Sequence, residues 1–207
     1  MDRKTKWRLV AVAALALAVA IIAIASAQEQ TVRVRGTIDG IDGQTMSVTA
    51  RDGMKLAIKI ADNATVAGVV KASMSDIKPG SYVGIAGMPQ EDGSQRALEV
   101  LIFPEAMRGT AEGFRPWDLR PNSTMTNATV AEVLTKADAE TMTLKYKDGE
   151  KTIVVPPGVP IVAFVPGDKS ELKAGAKIFI AGAAKQLDGS LVAARIGVGR
   201  DGLTPPM

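Results

Sequence analysis

The stretch TVRVRGTIDGI, beginning at Thr31, puts apolar side chains at Val32, Val34 and Ile38 with polar or small residues between them. That two-residue period predicts a strand with one buried face. Short β-rich runs of this kind continue along the chain. Two flank Arg51-Asp52-Gly53 and two flank Asp148-Gly149, and Asp-Gly between such runs is a hairpin signal. NATVAGVV and GVPIVAFV are further strands, each leading into a short helical turn. Before the second turn, Asp168 stands three residues ahead of Glu171, the spacing of a capping box. Gly80 and Gly175 close the two turns, where a left-handed backbone favours glycine. SYVGIAG and KIFIAG are strands again, and Asp-Gly-Ser then turns into the last strands, ALEVLIF and VAARIGV.

These elements come in two sets. Thr45-Met46 matches Thr141-Met142, and Asp52-Gly53 matches Asp148-Gly149. Ser75-Asp76-Ile77-Lys78-Pro79-Gly80 matches Ser170-Glu171-Leu172-Lys173-Ala174-Gly175. Ile85-Ala86-Gly87 matches Ile180-Ala181-Gly182, and Asp92-Gly93-Ser94 matches Asp188-Gly189-Ser190. The offset is 95 or 96 throughout. One unit is read as duplicated. About six short strands and one helical turn per unit can close into a small barrel, which removes exposed sheet edges.

The succession of Asp-Gly hairpin, Ser-x-Leu/Ile-Lys-x-Gly turn, glycine-ended strand and Asp-Gly-Ser turn resembles the exported bacterial family called domain of unknown function 5666. The resemblance spans both repeats. It implies OB-like barrels, a bacterial source and a periplasmic address, and is silent on activity. The expected fold is therefore all-β: two tandem small OB-like β-barrels, at 30–105 and 127–200, joined by a long ordered linker at 106–126.

The first 27 residues read differently. Arg3, Lys4, Lys6 and Arg8 precede an apolar run from Leu9 to Ile24, and Ala25-Ser26-Ala27 follows. A basic head, an apolar run and an A-x-A site make a secretory signal with cleavage after Ala27. The run is shorter than the roughly 20 residues of a typical membrane span. The alternative is an uncleaved helix anchoring the protein in the inner membrane, its only membrane contact.

The leader also changes the charge. The chain has 25 Lys+Arg and 22 Asp+Glu, and removing four basic residues and Asp2 leaves 21 of each. A neutral protein with 4% aromatic residues is a poor nucleic-acid binder, which needs surplus positive charge and stacking faces. With no cysteine or histidine, disulfides, thiol nucleophiles, the common metal ligands and the usual catalytic triad are all excluded. No cofactor and no metal are expected. The aspartates beside glycine are read as turn residues, the scattered methionines as core filling, and the S-x-x-K of Ser170–Lys173 as part of a turn.

The segment Arg108–Asn127, RGTAEGFRPWDLRPNSTMTN, has no clear period and holds Trp117 with Arg108, Arg115 and Arg120. Arginine and tryptophan are the residues enriched at binding hot spots. Either this segment clamps the two barrels, or its arginines receive a small anionic ligand or a protein partner as carboxylate forks. The expected function is non-catalytic binding or scaffolding. The competing readings are a carboxylate enzyme using Glu105, Glu112 or Asp118 in an inter-barrel cleft, and a methionine/carboxylate metal carrier.

Overall fold

The computed structural model describes residues 30–135 and 139–207. The leader read at 1–27 lies outside the described residues. Twelve strands follow in order: β1 (Thr31–Asp42), β2 (Thr45–Ala50), β3 (Lys55–Lys71), β4 (Tyr82–Pro89), β5 (Gln95–Phe103), β6 (Gly113–Pro116), β7 (Thr124–Thr135), β8 (Glu140–Tyr146), β9 (Gly149–Val155), β10 (Ile161–Pro166), β11 (Lys177–Lys185) and β12 (Leu191–Gly199). Single 3-10 turns occupy Met74–Asp76, Glu105–Met107 and Lys169–Glu171.

The alternation at Val34 and Ile38 does produce a strand with one buried face, and both side chains are fully enclosed. The predicted capping box forms. The Asp168 carboxylate accepts the Ser170 N–H at 2.8 Å, and Glu171 accepts the Asp168 N–H at 3.0 Å. Ser73 and Asp76 repeat it, with the Asp76 carboxylate accepting the Ser73 N–H at 2.8 Å. Gly80 and Gly175 take φ of 90° and 84°, the left-handed values their place after the turn requires.

The strands pair as one continuous sheet that returns on itself. One closed five-stranded barrel runs β12-β11-β1-β2-β3 and back to β12, sealed by parallel pairs from Leu191↔Ile58 to Gly199↔Val69. A second circuit runs β5-β4-β7-β8-β9 and returns to β5 through Gln95↔Ile153 and Arg96↔Val154. The expectation of one barrel per repeat is corrected by these pairings. Each circuit takes three strands from one half of the chain and two from the other. The segments 30–105 and 127–200 are units of sequence, not closed sheets.

The exchange occurs where β3 and β10 cross antiparallel, from Val162↔Lys71 to Pro166↔Ala67. Its centre is Phe164↔Val69, two residues 95 apart in sequence. Strand β3 runs unbroken for 17 residues. Between β9 and β10 stand Pro156, Pro157 and Pro160, which lack the N–H a ladder needs.

Three cores result. Ile38, Met46, Ile58, Ile180 and Ile196 fill the first barrel, with Leu172, directly after the 3-10 turn, as its plug. Val83, Ile85, Met142, Leu144 and Ile153 fill the second circuit, plugged by Ile77. Between them lies a third layer of Val69, Tyr82, Leu101, Phe103, Val162, Phe179 and Met207. A Cβ on Gly84 would come 3.0 Å from the Phe103 ring and 2.9 Å from the Asn127 side-chain oxygen. Overpacking of this kind costs about 1–3 kcal/mol. Gly84→Val should lower the urea midpoint accordingly, and Phe103→Leu in the same chain should restore part of the loss; additive destabilisation would show that the ring does not fill this space.

The linker at 106–126 carries regular structure. Its middle forms β6, which pairs antiparallel with the start of β7, from Gly113↔Asn127 to Pro116↔Thr124.

Candidate functional site

Arg33 and Arg35 are two apart on β1, so both side chains leave the same face. Their neighbours Val34 and Ile38 face the first core, and the arginines therefore face outward. Trp117, immediately after β6, covers them. Its backbone N–H donates to the Ser123 carbonyl at 2.8 Å, which fixes the residue at the mouth of the β6–β7 turn. The Arg33 guanidinium carbon lies 3.8 Å from the Trp117 ring centre, with Arg115 at 5.6 Å and Arg35 at 5.9 Å. Stacking of this kind suits a delocalised planar cation on an indole face.

One acid serves two of these three bases. Asp118 accepts a hydrogen bond from Arg35 at 2.7 Å and pairs with Arg33 at 3.4 Å. Burial opposes ionisation of Asp118, but the Arg35 hydrogen bond and the charges of Arg35 and Arg33 outweigh it and hold the carboxyl below its ordinary range. Burial, and then the like charge of Arg33, lower the pKa of Arg115. The cluster thus keeps more positive charge than its own carboxylate neutralises. The Trp117 indole N–H and the Arg33 Nε are both buried and have no hydrogen-bond partner among the described residues.

Arg35 connects this cluster to the interior. It lies 5.5 Å from the Phe179 ring centre and donates to the Met207 backbone oxygen. Its charge also reaches Glu99, as does that of Arg51. Glu99 sits on β5 one residue before Val100 of the second core and two before Leu101 of the third layer, so strand alternation turns it into that layer. It is 1% exposed, and neither carboxylate oxygen has a partner. Burial raises its pKa from 4.5 to about 8, against the opposing pull of Arg35 and Arg51. At neutral pH this carboxyl is protonated.

Of the four residues nominated from sequence, Arg115 and Trp117 meet in this cluster. Arg108 does not. It is paired with Glu105 at 2.6 Å and donates to the Gly80 carbonyl and the Thr129 hydroxyl. Arg120 is exposed at the far side of the turn. The nominated carboxylates are held apart by separate partners: Glu105 by Arg108, Glu112 by the Lys147 N–H at 3.0 Å, and Asp118 by the two arginines. Among the described residues no group of three or more acidic side chains is placed to hold a metal ion. Sequence reasoning missed Arg33, Arg35 and Glu99. The signal for the first two was present in TVRVRG, where both positions lie on the face opposite the apolar one.

A shallow cavity of about 390 Å³ opens elsewhere, at the end of the first barrel between Ile41, Gln44, Ile60, Lys169 and Leu172. Its one charged group, Lys169, donates to the Asp62 carbonyl. No family model, curated protein or solved structure matches the chain.

Proposed function

We propose that the protein is an exported, non-catalytic binding module that recognises anionic groups at the Arg33–Arg35–Arg115–Trp117 cluster. The observation that carries this reading is the gathering of three guanidiniums round one indole with a single carboxylate between them. Such a face offers bidentate forks to a carboxylate or phosphate. An incoming anion would relieve the repulsion between Arg33 and Arg115. The rigid β1 and β6–β7 elements pre-arrange these groups, which lowers the ordering cost of binding.

The apolar leader followed by Ala25-Ser26-Ala27, with the resemblance to exported bacterial domains, supports a periplasmic address. The matched turns and the crossing at Phe164↔Val69 support an origin by duplication of one OB-like barrel unit, followed by exchange of its last two strands.

The test is a titration of the 15N-labelled chain with succinate and with inorganic phosphate. The Trp117 indole signal, assigned by its disappearance in Trp117→Phe, should shift at about millimolar ligand. Arg33→Ala should weaken this by roughly tenfold, the usual effect of removing one charged partner. An indole signal that stays in place with both anions would refute the reading.

A further inference from the structure

The two circuits differ at one edge. On β7, Val130 exchanges hydrogen bonds with Gly80 and Ser81, both at 2.8 Å. On β1, Ile38 makes the same exchange with Gly175 and Ala176, at 2.8 and 2.9 Å. These two residues are therefore structural counterparts. Counting back equally from each places Arg33 where β7 has Met125, and Arg35 where it has Asn127. On β7 this stretch is covered by β6, through Arg115↔Met125 and Gly113↔Asn127. On β1 it is not. Pairing with β2 ends at Gly36↔Ala50, and beyond it the Arg35 carbonyl accepts the Arg51 N–H at 2.7 Å. Strand alternation points the Arg33 N–H and C=O the same way as that carbonyl. Among the described residues no strand lies beside them.

We infer that the open β1 edge at Val32–Arg35 accepts an extended acidic segment of a partner protein, laid antiparallel as β6 lies on β7. The inference rests on the anion-binding reading of the cluster and names its ligand. An unpaired edge is a template for an added strand. In such complexes main-chain hydrogen bonds supply affinity and alternate side chains supply specificity. Here alternation sets the chemistry of both faces. One face of the incoming strand meets Arg33 and Arg35, whose surplus charge selects glutamate or aspartate. The other meets Val32, which is 38% exposed and selects an apolar residue. The expected occupant alternates acidic and apolar side chains.

The probe is a blocked hexapeptide alternating glutamate and valine, added to the full 15N-labelled chain. Amide shifts should centre on Val32–Arg35 and accompany the Trp117 indole shift. Methylating the peptide nitrogens that face β1 should weaken binding roughly tenfold, because the backbone bonds are lost while the charges remain. Replacing glutamate by glutamine should weaken it as well. If the methylated peptide binds as tightly, or if shifts stay at Trp117 and the arginine side chains, the edge is not used. In that case a Trp117 response to succinate still upholds the anion reading, whereas silence there defeats both. Sedimentation showing a dimer of this chain that buries Val32–Arg35 and excludes the peptide would replace the acidic partner by a second copy.

Discussion

Urea unfolding of the protein should show stability falling as pH rises from about 4.5 to 8, and Glu99→Gln should abolish most of that slope. The unfolded chain releases the Glu99 proton near the ordinary value of 4.5, whereas the folded protein holds it to about 8. Between those values the folded state binds more protons than the unfolded state, so stability must decrease with pH. One pH unit corresponds to about 1.4 kcal/mol, so the full window amounts to roughly 5 kcal/mol. Above pH 8 the folded carboxyl ionises too and this contribution levels off. The window is otherwise quiet, because the chain has no histidine, the side chain that ordinarily titrates there. At pH 5 the Glu99→Gln protein should match wild type within about 1 kcal/mol, since both then bury a neutral polar group. At pH 8 it should be the more stable by several kcal/mol. Equal slopes in the two proteins would mean that Glu99 is ionised in the folded state or reached by water.

Glu99 also shows what the sequence could and could not disclose. In ALEVLIF both faces are apolar, with Leu98, Val100 and Ile102 on one and Leu101 and Phe103 beside the glutamate on the other, so Glu99 stands out as an acid on an apolar face. That face is covered by the third layer packed between the circuits, a relation that no window of a few residues contains. The same holds for Arg33 and Arg35, which read as the polar side of a strand until Trp117 is laid over them from eighty residues away. Several local devices were legible. Asp168 and Glu171 cap their turn as their spacing requires, and Gly80 and Gly175 take left-handed backbone. The exchange of strands was not legible for a physical reason. A barrel closed by its own last two strands and one closed by its neighbour's present nearly identical pairs to each residue, so the hydrophobic pattern is the same in both. Only the length of β3 bore on the difference. Its seventeen residues run past the last pair with β12 at Val69, and its final stretch, Ala67–Lys71, also pairs with β10.

That exchange gives the second large effect. The chain divided near Gly109, with the two pieces produced together, should yield a one-to-one complex with the native spectrum, and each piece alone should unfold or aggregate. The first piece carries β1, β2 and β3 for one circuit and β4 and β5 for the other; the second piece carries the complement. A piece on its own lacks the strands its neighbour contributes. It also uncovers its share of the third layer, where Val69, Tyr82, Leu101 and Phe103 belong to the first piece and Val162, Phe179 and Met207 to the second. Burial of such side chains is worth about 1.5–3 kcal/mol each, so the exposed set amounts to on the order of 10 kcal/mol, comparable with the whole stability of a domain. To fold alone, the first piece would have to turn β4 back onto its own β1 by bending sharply between Lys71 and Ser73. That bend would also strip Ala67–Lys71 of the β10 strand that now pairs with it. Two pieces that fold separately as stable monomers, with no tendency to associate, would overturn the exchange and restore one barrel to each half of the chain. Copurification that survives at low protein concentration, and is weakened by a charge placed at the crossing such as Val69→Asp, would locate the joint at the β3–β10 pair.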